Sequence, residues 1–322
     1  MSAVIDVALP VFAILAAGFA ANRLRFLGTD AAVAFNGFVY WVALPPLLFL
    51  SLARKPLEEV LNGPFILAFL LTLAITAALG ILVSRLADRR RPLPDLVQDG
   101  LNACFPNTGN MGIPLFLAAF GPLGVAPAIL ATVIVSSIAI GAAVVGMEAA
   151  RARGQGVARA AAQVAASLVR NPLLVAPALG MAVSAAGLPL PTPLVTFGDL
   201  LGQTAGPCAL FGIGLFLATQ PLGTDFTGKT LATLGTTVLK LVAQPLIALA
   251  LVTWVVPLPG FWAGSLIILA ALPTGALTYV VASRYGVAVE RTSTSILVTT
   301  VLSIATLSAV LGLLLPLPVP GP

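Results

Sequence analysis

Phe105-Pro106-Asn107-Thr108-Gly109-Asn110-Met111-Gly112-Ile113-Pro114 is the stretch that decides the fold. It lies at the centre of an apolar run, Leu96–Phe120, long enough to cross a bilayer as a helix. The nine residues from Pro106 to Pro114 nevertheless hold two prolines, two asparagines and two glycines. Each proline removes a backbone donor and clashes with the preceding turn, so no regular helix runs through them. Broken backbone in hydrocarbon leaves N–H and C=O groups unsatisfied, and it is tolerated only against protein or a water-filled cavity. The stretch therefore predicts a membrane helix interrupted at a polar site, with Pro106, Gly109, Gly112 and Pro114 as the architecture of the break.

A second run, Phe261–Val281, is built the same way, with Leu272-Pro273-Thr274-Gly275 at its centre and Pro273 and Gly275 as its break. The two breaks are related by spacing. Pro106 and Pro273 lie 167 residues apart, as do Pro10 and Pro177, and Pro45 and Pro207 differ by 162.

Composition puts both runs in a bilayer. Of 322 residues, 59% are hydrophobic and 8% charged, and mean hydropathy is +1.08. A soluble domain carries about 25% charged residues to keep a wetted surface. Sixteen basic and eleven acidic side chains cannot do that for this chain. It contains no histidine, which removes His-ligated metal sites and Ser–His or Cys–His hydrolytic pairs. Cys104 and Cys208 both sit in apolar runs, which is not a disulfide framework. The pI of 9.8 arises from basic residues dispersed over short loops, a topology signal and no nucleic-acid footprint. The reading requires no cofactor and no metal.

Ten apolar stretches qualify as spans: Val4–Ala21, Ala31–Leu52, Phe65–Leu86, Leu96–Phe120, Ala126–Met147, Pro172–Leu188, Leu194–Ala218, Leu231–Val255, Phe261–Val281 and Thr294–Leu315. With this count, thirteen Lys and Arg residues fall in loops on one side, against only Arg54 and Lys55 on the other. That bias makes the first side cytoplasmic and places both termini outside. Five spans precede the longest loop and five follow it, so the halves, residues 1–150 and 172–322, must be inverted relative to each other. The linker, residues 151–171, has Val157, Ala161, Val164 and Leu168 at helical spacing and reads as an amphipathic helix on the membrane surface. The expected fold class is an all-α polytopic membrane protein, with two inverted five-helix repeats whose fourth and ninth helices cross at their breaks.

The fourth span enters from one side and the ninth from the other, so the two breaks meet antiparallel. Each second half-helix begins near the midplane, where its unpaired N–H groups carry roughly half a positive charge. Two such ends facing one pocket favour an anion, above all a carboxylate. Asn107, Thr108 and Asn110 can donate to it from one break, Thr274 and Thr278 from the other. The C-terminal ends of the first half-helices are partly negative and call for a cation. Lys240 lies eleven residues past Lys229, about 16 Å along a helix, too deep to snorkel, and a lysine there needs a partner or a function. The broken-helix carbonyls, Gln203 and Asp199 in the seventh span are the candidate partners. A fixed ammonium at that place would replace a bound sodium ion. In the tenth span Thr292, Ser295, Thr299, Ser303 and Thr306 share one face, a pattern that lets helices pack closely.

These residues resemble the auxin efflux carrier family, which includes bacterial malonate-type carriers and the plant PIN auxin transporters. The resemblance spans nearly the whole chain. It rests on Ala43–Phe49, the Asn107–Pro114 run, Arg170–Leu173, Ala209–Leu215, Lys240-Leu241 and Ala271–Ala276. It implies ten helices in two inverted repeats, a scaffold of spans one, two, six and seven through which a homodimer forms, and a mobile domain that moves as an elevator. It further implies that Asn107 contacts the substrate carboxylate. Plant PIN proteins carry another asparagine at the ninth-helix break, where this chain has Thr274, and their central loop is longer. A bacterial-type organic-anion carrier therefore fits better than an auxin carrier.

The sequence thus points to a secondary transporter of a small organic carboxylate across the cytoplasmic membrane, driven by membrane potential or protons, with the lipid bilayer as its other partner. Two rivals stay open. A sodium-coupled symporter like the bile-acid type would show clustered carboxylates near the crossing, and an anion channel would not saturate. An integral-membrane enzyme is the weakest alternative, since no nucleophile–base pair is visible.

Overall fold

A computed structural model describes residues 2–28, 30–54, 62–121, 124–151, 172–219 and 231–314. The linker helix expected within 151–171 lies outside the described residues, Arg151 apart. The helices are α1 (Ser2–Arg23), α2 (Ala31–Phe38), α3 (Leu44–Ala53), α4 (Gly63–Ala87), α5 (Leu93–Cys104), α6 (Ile113–Phe120), α7 (Ala126–Ile134) and α8 (Ile140–Arg151). They continue as α9 (Pro172–Ala185), α10 (Thr192–Thr219), α11 (Leu231–Val238), α12 (Gln244–Ala250), α13 (Gly260–Ala270), α14 (Leu277–Tyr285) and α15 (Val289–Leu314). Among the described residues, β pairing is confined to an isolated antiparallel bridge between Pro106 and Thr274.

Several helices join end to end through a wider π turn. Three such turns, Val39–Ala43, Thr108–Gly112 and Leu239–Ala243, run directly into a helix with proline in its first turn: Pro45, Pro114 and Pro245. Proline offers no N–H and its ring collides with the carbonyl four residues back. A locally widened turn moves that carbonyl away and lets the rod continue.

Among the described residues, four helices are long and apolar enough to cross a membrane: Ala31–Leu50, Gly63–Ala87, Thr233–Val255 and Val289–Leu314. The distribution of side chains fits that setting. Large apolar groups such as Val33, Leu200, Leu234 and Trp254 face outward, whereas Gln98, Asp99, Asn102, Lys240, Gln244 and Thr274 are buried. A water-soluble protein sorts its residues the other way. The chain is a membrane-embedded, all-helical protein.

Packing is closest where glycines let backbones touch. Helix α1 lies along α10, and α9 lies against α3. A Cβ on Gly18 would sit 2.1 Å from the Phe211 carbonyl oxygen, one on Gly214 2.0 Å from that of Leu15, and one on Gly180 2.4 Å from that of Phe49. Small residues at such crossings are the means by which membrane helices approach each other in place of a hydrophobic driving force. Helix α4 packs on α5, α11 and α12, and α12 packs in turn on α13. This second group carries the broken helices.

Candidate functional site

The two interrupted helices meet at their breaks. Helix α5 ends at Cys104 and α13 at Ala270, and the chain resumes as helix at Thr108 and Leu277. Between these ends the backbones run extended past each other. Asn107 N–H donates to the Pro273 carbonyl at 2.8 Å, and Gly275 N–H donates to the Phe105 carbonyl at 2.9 Å. Each break thus supplies the hydrogen-bond partners that the other lost. The approach depends on glycine: a Cβ on Gly275 would fall 2.7 Å from the Phe105 ring, and one on Gly112 2.9 Å from Leu272. Gly109 is under no such pressure, its nearest neighbour being a Thr132 methyl at 3.6 Å. Pro114 occupies the first turn of α6, directly after the Thr108–Gly112 π turn that accommodates it.

A cavity of about 470 Å³ opens beside the crossing. Asn107, Thr108, Gly109 and Asn110 line it from the first break, and Ala276 and Leu277 from the second. Thr132 lines it from α7 and Ser136 from the π turn that follows α7, and Tyr40 and Trp41 close it from the α2 side. Both second half-helices therefore present their N-terminal ends to one volume. The first N–H groups of a helix have no partner within it, and together with the dipole they make such an end receptive to negative charge. Asn107 precedes its half-helix without capping it through its side chain, and the residue borders the cavity. Of the hydroxyls here, Thr132 is committed to the Ala128 carbonyl at 2.7 Å. Those of Thr108 and Ser136 are buried and have no hydrogen-bond partner.

Thr274 and Thr278, expected to face a ligand, have their hydroxyls bonded to backbone. Neither is among the residues described around the cavity. The Thr274 hydroxyl donates to the Asn102 carbonyl at 3.0 Å, and its N–H donates to the Thr299 hydroxyl at 3.1 Å. The Thr278 hydroxyl donates to the Gly275 carbonyl at 2.9 Å. Both are fully buried and serve the backbone of the breaks.

Lys240 is fully buried. Its Nζ donates to the carbonyl of Ala270, the last residue of α13, at 2.8 Å, and also to Gln244 Oε1. Gln244 Nε2 in turn donates to the carbonyl of Cys104, the last residue of α5, at 2.8 Å. One Lys–Gln pair, a single turn apart, thus reaches the C-terminal ends of both first half-helices. The sequence reading named the carbonyls but missed Gln244, although polar residues four apart in an apolar helix are the available signal. Asp199 is not a partner of Lys240: it pairs with Arg54 at 2.8 Å, and both side chains are 43% exposed.

A polar cluster that the sequence reading missed lies behind the crossing. Gln98 Nε2 donates to Asn102 Oδ1 at 3.0 Å and to the Thr278 carbonyl at 3.0 Å, and Asn102 Nδ2 donates to the Thr292 hydroxyl at 3.0 Å. Asp99 accepts from Arg91 at 2.9 Å, from Ser84 at 2.5 Å and from Arg291 at 3.3 Å. Arg291 also bonds Asp95 at 2.7 Å. Helix α5 is tied by these contacts to α4 and α15. Of the hydroxyl stripe of α15, expected as a packing face, Thr292, Ser295, Thr299 and Ser303 are buried and Thr306 is half-buried, and Thr292 and Thr299 make hydrogen bonds to the two broken helices.

The chain matches the family model described as "Membrane transport protein" over residues 3–311. It is 31% identical over 315 residues to a Rhizobium meliloti (strain 1021) protein provisionally named a malonate transporter, covering 98% of this chain and 97% of that one. An uncharacterised transporter of Methanothermobacter thermautotrophicus is 27% identical over 308 residues, covering 94% of this chain and 95% of its own. One from Methanocaldococcus jannaschii is 23% identical over 310 residues, covering 93% and 95%. A broken-helix crossing beside a cavity, in a chain matched end to end by transporters, has one consistent reading: the protein belongs to the membrane transport protein family of auxin efflux carriers.

Proposed function

We propose that the protein is a secondary transporter that carries a small organic carboxylate through the crossing by alternating access. The observation that carries this reading is the convergence of two half-helix N-termini and Asn107 on one cavity. That arrangement favours an anion with no basic side chain at hand. The provisional name of the Rhizobium relative makes malonate the first substrate to try. Asn107 takes the carboxylate, with Thr108 and Asn110 beside it. Thr274 and Thr278 hold the crossing in shape.

In this reading ten spans form two inverted five-helix repeats in the cytoplasmic membrane, with both termini outside. Spans one, two, six and seven form a scaffold and a dimer contact, and the remainder moves as an elevator. Two glycine contacts support the repeat. Gly18 closes on Phe211 and Gly180 on Phe49, and both members of the second pair are related to the first by an offset of 162. Membrane potential or protons supply the drive, one charge being worth about 2.3 kcal/mol per 100 mV. Lys240, bonded to the Ala270 carbonyl, fills the place where a sodium ion would otherwise neutralise a helix C-terminus.

The test is uptake of labelled malonate into proteoliposomes under imposed voltage, proton and sodium gradients, with wild type against Asn107→Ala. Saturable uptake that responds to voltage or protons and is lost in the variant is the expected result. Uptake indifferent to Asn107→Ala refutes the site, uptake driven by sodium alone refutes the coupling, and uptake that never saturates favours a channel.

A further inference from the structure

Building on the carboxylate-transporter reading, we infer that the cavity accepts its substrate as a monoanion, with a second, uncharged polar group seated between Thr108 and Ser136. The electrostatics set the first half of this. Two helix N-termini contribute about half a positive charge each, together about one. No Lys or Arg is among the described residues that line the cavity. Lys240 is committed to Ala270 and Gln244, and Arg91 and Arg291 are committed to Asp95 and Asp99. A second carboxylate in this space would have no counter-charge. An ionised carboxylate without a partner in a low-dielectric site takes up a proton instead of staying charged.

The hydroxyls set the second half. Thr108 is 1% and Ser136 4% exposed, both line the cavity, and neither hydroxyl has a hydrogen-bond partner. Buried hydroxyls left unsatisfied cost free energy, and a native structure keeps few of them. A hydroxyl both donates and accepts, so the pair, once turned from the wall into the cavity they line, can serve the C=O and the O–H of a protonated carboxyl, or an amide or alcohol, equally well. An apolar group there would leave both unsatisfied. Tyr40, edge-on to Trp41 with centroids 5.1 Å apart, lines the same cavity, and the two rings offer surface to the carbon skeleton between the two heads. A dicarboxylic acid would therefore cross as its singly protonated form, carrying one charge per molecule.

Proteoliposome uptake, with equal pH on both faces and a fixed potential, separates these elements with three labelled acids of similar size. Malonate titrates between one charge and two. Malonamate has one charge and a neutral polar head, and butyrate has one charge and an apolar tail. Malonamate uptake should be flat with pH, while malonate uptake should climb on acidification in step with its singly protonated fraction. Butyrate should be poorer by about tenfold in kcat/KM, the loss expected when hydrogen bonds to buried hydroxyls go unmade. Ser136→Ala and Thr108→Val should each narrow the malonamate-to-butyrate ratio. Malonate moving fastest where its dianion dominates, or a ratio unchanged in both variants, overturns the inference while leaving a carboxylate carrier in place. Failure of all three acids to enter overturns the carrier reading and this inference with it.

Discussion

The N–H of Asn107 and the carbonyl of Pro273 are hydrogen-bonded at 2.8 Å although their residues belong to different broken helices. Phe105 and Gly275 return the bond at 2.9 Å. Neither break could lie in hydrocarbon alone, because its freed backbone groups would find no partner there. The two interruptions are a single structural unit. Gly275→Val is accordingly expected to be more damaging than Gly109→Ala, since its side chain would meet the Phe105 ring at 2.7 Å, whereas the Gly109 side has room. Expression yield and thermal unfolding in detergent would check the order, and equal tolerance of both changes would contradict it.

The Lys240–Gln244 pair is expected to matter through both of its ends. Gln244→Leu leaves the Cys104 carbonyl without its donor and the ammonium with one partner fewer. The loss should be about 1–3 kcal/mol, the cost of an unsatisfied buried polar group, seen as a lowered Tm in detergent. Gln244→Glu keeps an acceptor for Lys240 but no donor for Cys104, so it should rescue only in part. Full rescue by Glu would show that the bond to Cys104 contributes nothing.

Asp99 is almost fully buried between Arg91 and Arg291. Asp99→Asn would take from Arg91 its buried carboxylate and leave Arg291 with Asp95 alone, and breaking a buried pair costs about 3–5 kcal/mol because a charge remains uncompensated. By contrast Arg54→Ala should cost less than about 1 kcal/mol, as exposed pairs do; its partner Asp199 is 43% exposed. Denaturation midpoints of the two variants in the same detergent give the comparison. A similar shift for both would show that burial of the Asp99 cluster is not what stabilises it.

Gly18→Leu is expected to separate α1 from α10, because even a Cβ would stand 2.1 Å from the Phe211 carbonyl. Forcing a side chain into a filled contact costs about 1–3 kcal/mol or more. Gly180→Leu should behave alike against Phe49, where a Cβ would stand at 2.4 Å. Thermal unfolding of the pair tests this, and a neutral result at either site would mean the helices can part without loss.

What the sequence disclosed and what it hid divide along a physical line. The breaks were legible because Pro106, Gly112, Pro114, Pro273 and Gly275 oppose the helical tendency of their apolar neighbours. The side of the helix on which a residue would fall was not legible. Thr274 and Thr278 are close in sequence to the crossing yet turn toward backbone carbonyls, while Ser136, one of two adjacent serines in an apolar run, lines the cavity. Arg91 and Arg291 read as loop charges because nothing in their own neighbourhoods announces Asp99. Facing direction at a break depends on how the second helix lies across it, and that information is spread over more than 160 residues.

Gln244 and Lys240 fasten both first half-helices to one rod, and the Asn107–Pro273 bond fastens the breaks to each other. The two breaks that line the cavity are therefore riveted together, whereas Tyr40 and Trp41 come from a different helix. A cup of this kind has one detachable wall. Its grip on a solute is expected to be conserved as it travels, and access is expected to change by slippage along a single seam between Trp41 and Asn110. A cross-link spanning that seam should arrest uptake with the solute still held, whereas undiminished uptake would show that the seam does not open.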